Sequence, residues 1–181
     1  MDEKRGEVLR REAIFKGRIF TVERDRVKLP KGVEATLEVV RHPGSVVLLP
    51  MPEDGKVILV RQYRYAIDRW VWELAAGSLK PGEDPKEGAA RECEEETGLV
   101  AGRVDDLGAF YPTPGYCDEK MNFYRLTELA PPDGSRPSAH QDEDEDIRTQ
   151  VFTLDEVRAM IARGDIIDLK TVAGIALVIA V

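Results

Sequence analysis

Three glutamates close together in the chain, Glu92, Glu95 and Glu96, have the types and spacing that could bind a divalent cation. In a helix, residues three and four positions apart project from the same side, so these carboxylates share one face. Carboxylates this close repel one another, and an isolated helix gains nothing from the arrangement. A cation such as Mg²⁺ reverses the effect, because it takes hard oxygen ligands and is usually shared between one or two carboxylates and substrate phosphates. The face therefore predicts a site that holds metal against a diphosphate.

The residues around these glutamates are of the types that begin and end a helix. Asp84 is a suitable N-cap, Pro85 suits the first helical position, and Gly98 suits the left-handed residue that ends a helix. The sequence therefore predicts a helix from Pro85 to Thr97. For a charged helix alone, the ordinary interpretation is a solvated face with Arg91 paired to neighbours four positions away. The flanking glycine and proline residues favour the metal site.

The whole segment matches the Nudix box, G-x5-E-x7-R-E-U-x-E-E-x-G-U, in which U is an apolar residue. The matched positions are Gly77, Glu83, Arg91, Glu92, Cys93, Glu95, Glu96, Gly98 and Leu99. Nine specified positions within 23 residues are far more specific than a lone G-x-G-x-x-G. Over nearly its whole length the chain resembles the ADP-ribose pyrophosphatase branch of the Nudix family. Four further features carry this resemblance: RQYRY, WELAAG, the TPGYCDEK loop with Pro114 fifteen residues after Leu99, and the acidic loop HQDEDEDI.

The resemblance implies an α/β fold, a Nudix α/β/α sandwich with an N-terminal antiparallel β element. Residues 1–41 would form the β element, and residues 42–181 would form the Nudix hydrolase domain. Members of this branch are typically homodimers. The first 41 residues are β-rich and too few for a stable domain of their own, so we expect them to form the dimer contact.

The resemblance also implies roles for individual residues. The metal ligands would be Ala76, through its backbone carbonyl, with Glu92, Glu96 and Glu145. The catalytic residues would be Glu95, Glu143 and Glu145. Glu143 aligns with the general base and Glu145 with the ligand, although the acidic run 142–146 leaves the register open. Substrate would be bound by Arg41, Arg64 and Glu73, and the site would be supported by Gly77, Glu83 and Arg91. A guanidinium such as that of Arg64 matches phosphate bidentately, and the alternative for it is a surface cation on a strand.

The activity implied is Mg²⁺-dependent hydrolysis of the diphosphate bond of ADP-ribose, or of a related nucleoside diphosphate sugar, to AMP and ribose 5-phosphate. Mn²⁺ is the alternative cation. Two alternatives stay open for function. One is a pyrophosphohydrolase of another nucleotide sugar, a dinucleoside polyphosphate or an oxidised deoxynucleoside triphosphate. The other is a module that senses ADP-ribose without cleaving it.

Composition indicates a compact enzyme with a small-molecule substrate. The 181 residues are 43% hydrophobic, enough to build a core. The net charge of −8 argues against nucleic acid as a partner, because no basic cluster could neutralise a run of phosphates. No apolar run reaches membrane-spanning length, and the charged N-terminus lacks a signal-peptide core. With only Cys93 and Cys117, the chain predicts no disulfide framework and a cytoplasmic location.

Hydrophobic patterning predicts the elements that hold the acidic helix in place. Residues 7–41 read as an antiparallel sheet. The apolar runs 45–51 and 56–65 flank a Pro-Glu-Asp-Gly turn and predict a hairpin in a buried sheet. Further strands are predicted at 121–130 and 147–154, with closing helices from Leu154 to Arg163 and from Leu169 to Ala180.

Overall fold

The computed structural model describes residues 4–134 and 147–179. These residues form ten strands, a single 3-10 turn at Tyr65–Ile67 and three α-helices. The strands are β1 Glu7–Lys16, β2 Thr21–Lys28, β3 Glu34–Arg41, β4 Ser45–Pro50, β5 Lys56–Arg64, β6 Arg69–Glu73, β7 Ala76–Ser78, β8 Val100–Phe110, β9 Met121–Ala130 and β10 Arg148–Thr153. The helices are α1 Pro85–Thr97, α2 Leu154–Arg163 and α3 Leu169–Ile179. The predicted helices therefore begin and end at, or within one residue of, the expected positions.

The chain divides into two compact units. The first comprises Met1–Gly44 together with Tyr111–Lys120, and the second comprises Ser45–Phe110 together with Met121–Val181. The first unit thus combines the N-terminal segment with a loop from the middle of the sequence.

The first unit contains a three-stranded antiparallel sheet in the order β1-β2-β3, which confirms the predicted N-terminal sheet. Loop 111–120 is bonded to its third strand, because Val40 N donates to Tyr116 O at 2.8 Å and Asp118 N donates to Val40 O at 3.1 Å. Every residue of β1 is exposed. The exposed side chains of β1 include the apolar Val8, Ile14 and Phe15, so this strand presents unburied apolar surface.

The second unit contains two sheets. One has the strand order β10-β5-β6 and is antiparallel throughout, and the other has the order β7-β4-β9-β8. In the second sheet the pair β4 and β9 is parallel, and its other two pairs are antiparallel. Strand β4, with all six residues buried, therefore forms hydrogen bonds on both edges.

The hairpin predicted from runs 45–51 and 56–65 is wrong. Both runs are strands, but β4 pairs with β7 and β9, whereas β5 pairs with β6 and β10. Continuous apolar residues indicate that a strand is buried on both faces, and they do not indicate which strand lies beside it. The turn between β4 and β5 therefore carries the chain from one sheet to the other.

Side chains of β4 alternate between two hydrophobic cores. Val47 and Leu49 belong to a core that includes Val157 of α2 and Ile175 of α3. Their neighbours Val46 and Leu48 belong to a second core, built with Ala89 and Cys93 of α1. Successive residues of a strand point to opposite faces, so α1 packs on one side of β4, and α2 and α3 pack on the other. This layering is the predicted α/β/α sandwich.

Helix ends follow the local sequence. Thr153 and Glu156 form a reciprocal capping box at the start of α2, and the left-handed Gly164 ends that helix. Asp84 caps α1 by accepting hydrogen bonds from the backbone amides of residues 86 and 87. No helix among the described residues is long and apolar enough to cross a membrane.

Candidate active site

Arg91, near the middle of α1, gathers three carboxylates. Its Nε and Nη2 donate to the two oxygens of Glu83 at 2.8 and 3.0 Å, which is a bidentate pair. Its Nη1 donates to Glu92 Oε1 at 2.7 Å and to Glu95 Oε2 at 2.5 Å. The Arg91 side chain is only 20% exposed. One guanidinium therefore orients three carboxylates that would otherwise repel one another, as expected of a supporting residue beside a metal site.

The charges in this cluster shift the pKa values of its members in opposite directions. The pKa of Glu83 is lowered, chiefly by its hydrogen bonds from Arg91, and the pKa of Arg91 is raised, chiefly by Glu83. Burial raises the pKa of Glu92 to about 7, and the nearby charge of Glu95 adds to this effect. Arg91 opposes the rise but is shared among three carboxylates. Burial therefore outweighs the hydrogen bond from Arg91 in setting the pKa of Glu92.

Gly77 lets the Glu92 carboxylate lie directly against the backbone of β7. A Cβ atom at position 77 would lie 1.9 Å from Glu92 Cδ and 2.1 and 2.3 Å from its two oxygens. No heavier residue fits without moving Glu92. The first glycine of the box therefore brings a carboxylate of α1 beside the strand that begins with Ala76, the residue predicted to offer its carbonyl.

The chemistry of the donor set fits a divalent cation. Glu83, Glu92 and Glu95 bring three carboxylates to one guanidinium, so the cluster holds excess negative charge on hard oxygen donors. Glu96, on the same helix, is 5% exposed and makes interactions of its own. No three acidic, Cys or His side chains within residues 4–134 and 147–179 converge as a preassembled metal cage. In the structure the guanidinium of Arg91 lies among the carboxylates of Glu83, Glu92 and Glu95.

Arg64 and Glu73, predicted to bind substrate, are adjacent. Arg64, the last residue of β5, places Nη2 2.5 Å from Oε1 of Glu73, the last residue of β6. Glu73 is 2% exposed, whereas the Arg64 side chain is 41% exposed. The guanidinium thus sits at the surface on top of a buried carboxylate. One side of the guanidinium is therefore held against a carboxylate and the other side is open, and the role of Arg64 as a phosphate clamp stays a prediction.

Arg41, predicted to bind substrate, lies in the first unit among three carboxylates. Its Nε donates to Glu23 at 2.7 Å, and its two terminal nitrogens donate to Asp25 at 2.7 Å and to Asp118 at 3.1 Å. The same Asp25 accepts a bidentate pair from Arg11 and is 2% exposed. Arg41 therefore joins the N-terminal sheet to loop 111–120, beside the backbone hydrogen bonds of Val40.

Glu143 and Glu145, predicted as the general base and the additional ligand, lie outside the described residues.

Sequence reasoning missed Lys170, which is buried and bonded to Glu73. Lys170 Nζ donates to Glu73 Oε2 at 2.7 Å across 97 positions of sequence. The only local signal was a charged residue within the apolar segment LKTVAGIALVIAV. A lysine in such a run is rarely buried without a partner, so the pattern could have prompted a search for one.

The acidic helix, the supporting arginine and the layered sheets define a Nudix-type protein, and comparison with known proteins agrees. The family model described as the NUDIX domain matches residues 40–173. The chain therefore belongs to the Nudix family.

Its curated relatives include an ADP-ribose pyrophosphatase of Bacillus subtilis (strain 168), 35% identical over 161 residues, or 89% of this chain and 85% of that protein. An ADP-ribose pyrophosphatase of Mycobacterium tuberculosis (strain ATCC 25618 / H37Rv) is 37% identical over 182 aligned positions, which cover 100% and 86% of the two chains. A methanol dehydrogenase activator of Bacillus methanolicus is 36% identical over 167 residues, or 92% and 89%. The solved structure of an ADP compounds hydrolase matches with a TM-score of 0.81 at 25% identity, covering 98% of this chain and 94% of that one.

Proposed function

We propose that the protein hydrolyses the diphosphate bond of ADP-ribose to AMP and ribose 5-phosphate, with Mg²⁺ as cofactor and Mn²⁺ as the alternative. The carrying observation is the α1 cluster, in which Arg91 orients Glu83, Glu92 and Glu95 beside the backbone of Gly77. Two relatives named ADP-ribose pyrophosphatase, alike over most of their length, point to the substrate.

The residues that would hold the cation are Glu92, Glu96 and the Ala76 carbonyl, with Glu145 as a further ligand and Glu95 beside them. A divalent cation held there would stabilise the negative charge that grows on the diphosphate oxygens and would lower the pKa of a bound water. The work of Arg91 and Glu83 is to fix the directions of Glu92 and Glu95. Glu143 is the proposed base that takes the proton of the attacking water, since a carboxylate within one hydrogen bond of that water can do so.

Substrate would be recognised by cationic and acidic side chains on separate elements. Arg64 would donate to the diphosphate oxygens, since its exposed guanidinium matches phosphate geometry. Glu73 would fix Arg64 from below. Arg41 would bind the nucleoside part of the substrate through the N–H groups that are not bonded to Glu23, Asp25 or Asp118.

We further propose a cytoplasmic homodimer that binds neither nucleic acid nor membrane. Both cysteines are free, which suits a reducing compartment. Apolar side chains of β1 such as Val8 and Phe15 are half exposed, so the N-terminal sheet has surface to bury against a second copy.

The test is hydrolysis of ADP-ribose with Mg²⁺, beside GDP-mannose, UDP-glucose, diadenosine polyphosphate and 8-oxo-dGTP, with products identified by chromatography. Preferred cleavage of ADP-ribose to AMP supports the proposal, and preference for another substrate replaces ADP-ribose by that class. Glu96→Gln should lower kcat by about 10²-fold or more while ADP-ribose still binds, because it removes a charged ligand. Glu87→Gln makes the same change at an exposed position of α1 and should leave kcat unchanged.

The second candidate is a module that binds ADP-ribose and acts on a partner without cleaving it. The relative named as a methanol dehydrogenase activator favours keeping it, because that relative is as similar as the pyrophosphatases. A sensor would bind ADP-ribose, turn over none of the panel and behave alike as wild type and Glu96→Gln.

A further inference from the structure

Lys170 forms a buried ion pair with Glu73, and the proposed chemistry gives the lysine no role. The side chain of Lys170 is 8% exposed, and that of Glu73 is 2% exposed. Their Nζ and Oε2 atoms are 2.7 Å apart. Removing two charges from water costs so much that a buried pair is often no more stabilising than apolar residues of the same size. Stability alone therefore gives little reason for this pair.

The second carboxylate oxygen of Glu73, Oε1, is not used by the ion pair with Lys170 and lies beside Arg64. Oε1 lies 2.5 Å from Arg64 Nη2, yet it receives no hydrogen bond from any residue that the structure describes. Arg64 is therefore held near Glu73 by opposite charge, while its N–H groups are not directed at that oxygen. Since the Arg64 side chain is 41% exposed, those donors remain available on the open side.

The start of α3 is fastened to the same stretch of chain. Thr171 Oγ1 accepts a hydrogen bond from Leu74 N at 2.8 Å and donates to Asp168 Oδ2 at 2.6 Å. Asp168 Oδ2 also accepts from Thr171 N at 2.9 Å and lies 3.1 Å from Lys170 Nζ. Two consecutive residues of α3 thus bind two consecutive residues, Glu73 and Leu74, so the lysine has a fixed position relative to the carboxylate.

We infer that Lys170 is a positioning residue for the Arg64 phosphate clamp, an inference that rests on the proposed function. Lys170 supplies the counter-charge that buried Glu73 requires and occupies Oε2. Among the residues that the structure describes, Glu73 pairs with two cations, Lys170 and Arg64. Without the charge of Lys170, Arg64 would be the only one left. The guanidinium would then turn to make two parallel hydrogen bonds to both carboxylate oxygens, which is its preferred geometry. The N–H groups of Arg64 would then bond to Glu73 and would no longer be available to the diphosphate.

The test compares Lys170→Met with a matched control. Lys170→Met keeps the length of the side chain and removes its charge. We expect the KM for ADP-ribose to rise about 10-fold or more, equivalent to losing a hydrogen bond to a charged group, with kcat within about threefold of wild type. The control, Thr171→Val, removes the anchor to Leu74 and leaves the ion pair intact. It should lower the melting temperature and leave KM within about threefold of wild type.

A second variant separates an electrostatic role from loss of packing. In the double variant Arg64→Met with Lys170→Met, no guanidinium remains for Glu73 to capture. Its KM should match that of Arg64→Met alone within about threefold, a non-additivity that lost packing does not produce. If Lys170→Met does not fold, Lys170→Leu also removes both the charge and the donor to Glu73 Oε2, and it carries the same expectation.

Three results would overturn the inference: an unchanged KM in Lys170→Met, an equal rise of KM in Thr171→Val, or a KM in the double variant well above that of Arg64→Met alone. Failure of the proposed function is a different result, namely that the wild type does not turn over ADP-ribose. In that case the crystal structure of Lys170→Met decides. Arg64 making two hydrogen bonds to Glu73 supports the inference, and Arg64 in its wild-type position contradicts it.

Discussion

Gly77→Ala is expected to disable the site without disturbing the backbone. Gly77 is not among the glycines with positive φ, so alanine can adopt its conformation. The added Cβ would lie 1.9 Å from Glu92 Cδ, whereas ordinary contacts begin at 3.4 Å. The carboxylate must therefore retreat by the difference, about 1.5 Å, which is far outside the tolerance of about 0.2 Å for metal–ligand distances.

The same retreat breaks the hydrogen bond from Arg91 to Glu92, now 2.7 Å long. A misplacement of about 1 Å costs about 10²-fold in rate, so kcat/KM for ADP-ribose should fall by about 10²-fold or more at a fixed Mg²⁺ concentration. Release of AMP, followed by chromatography over a Mg²⁺ titration, measures this. Calorimetric titration of Mg²⁺ should show weaker binding in the same variant.

Gly6→Ala is the matched control. Gly6 also lacks a positive φ, and a Cβ there would meet only Lys28 O at an ordinary 3.4 Å. Its kcat/KM should equal that of wild type. Gly77→Ala retaining kcat/KM within about threefold of wild type, with normal Mg²⁺ binding, would refute the assignment of Glu92 as a ligand positioned by this contact.

Three further changes test the charges and the packing around the site. Arg91→Met leaves three carboxylates uncompensated and should lower the free energy of unfolding by about 3 kcal/mol in urea, with Mg²⁺ restoring part of the loss; an unchanged midpoint would contradict this. Burial raises the pKa of Glu92 to about 7 in the folded protein. The protonated carboxyl therefore stabilises the metal-free fold, fully at pH values below the pKa of the unfolded chain, and this stabilisation is lost as the pH rises through 7. Because the cation displaces the proton, calorimetry should show Mg²⁺ binding about tenfold tighter at pH 8 than at pH 6, and equal affinities would exclude this linkage. Gly174→Ala would bring a Cβ within 2.4 Å of Leu74 Cδ1, and urea unfolding should show a loss of about 1–3 kcal/mol; wild-type stability would mean that α3 can shift away.

Local chemistry made the acidic helix predictable. Its ends are set by a capping Asp84, a proline at the first position and Gly98 with φ of 70°, all of which act within a few residues. The three-residue spacing of Glu92 and Glu95 predicted that their carboxylates share one face of the helix, and both accept hydrogen bonds from Arg91. These features depend on neighbours in sequence, so the sequence contained them.

Features that depend on distant partners were not predictable in the same way. The apolar runs of β4 and β5 indicated burial correctly, but the choice of partner strands depends on β9 and β10, far along the chain. Lys170 meets Glu73 across 97 positions, and no periodicity records such a pair. The contact between Gly77 and Glu92 is intermediate between these cases. Both residues are specified by the Nudix box, but the structure is needed to show that a side chain at position 77 would overlap the Glu92 carboxylate.

Only two residues separate Glu73 from Ala76, and within them the chain leaves one sheet and enters the other. Three peptide steps of about 3.8 Å limit the distance between those two Cα atoms to about 11 Å, however the sheets move. The carboxylate residue beneath Arg64 and the residue whose carbonyl is proposed to bind metal are thus joined by a short segment of backbone that cannot stretch. Movement of one sheet against the other can change the angle at this junction but cannot lengthen it. Glu73 and Ala76 therefore keep their separation when the surrounding loops are substituted.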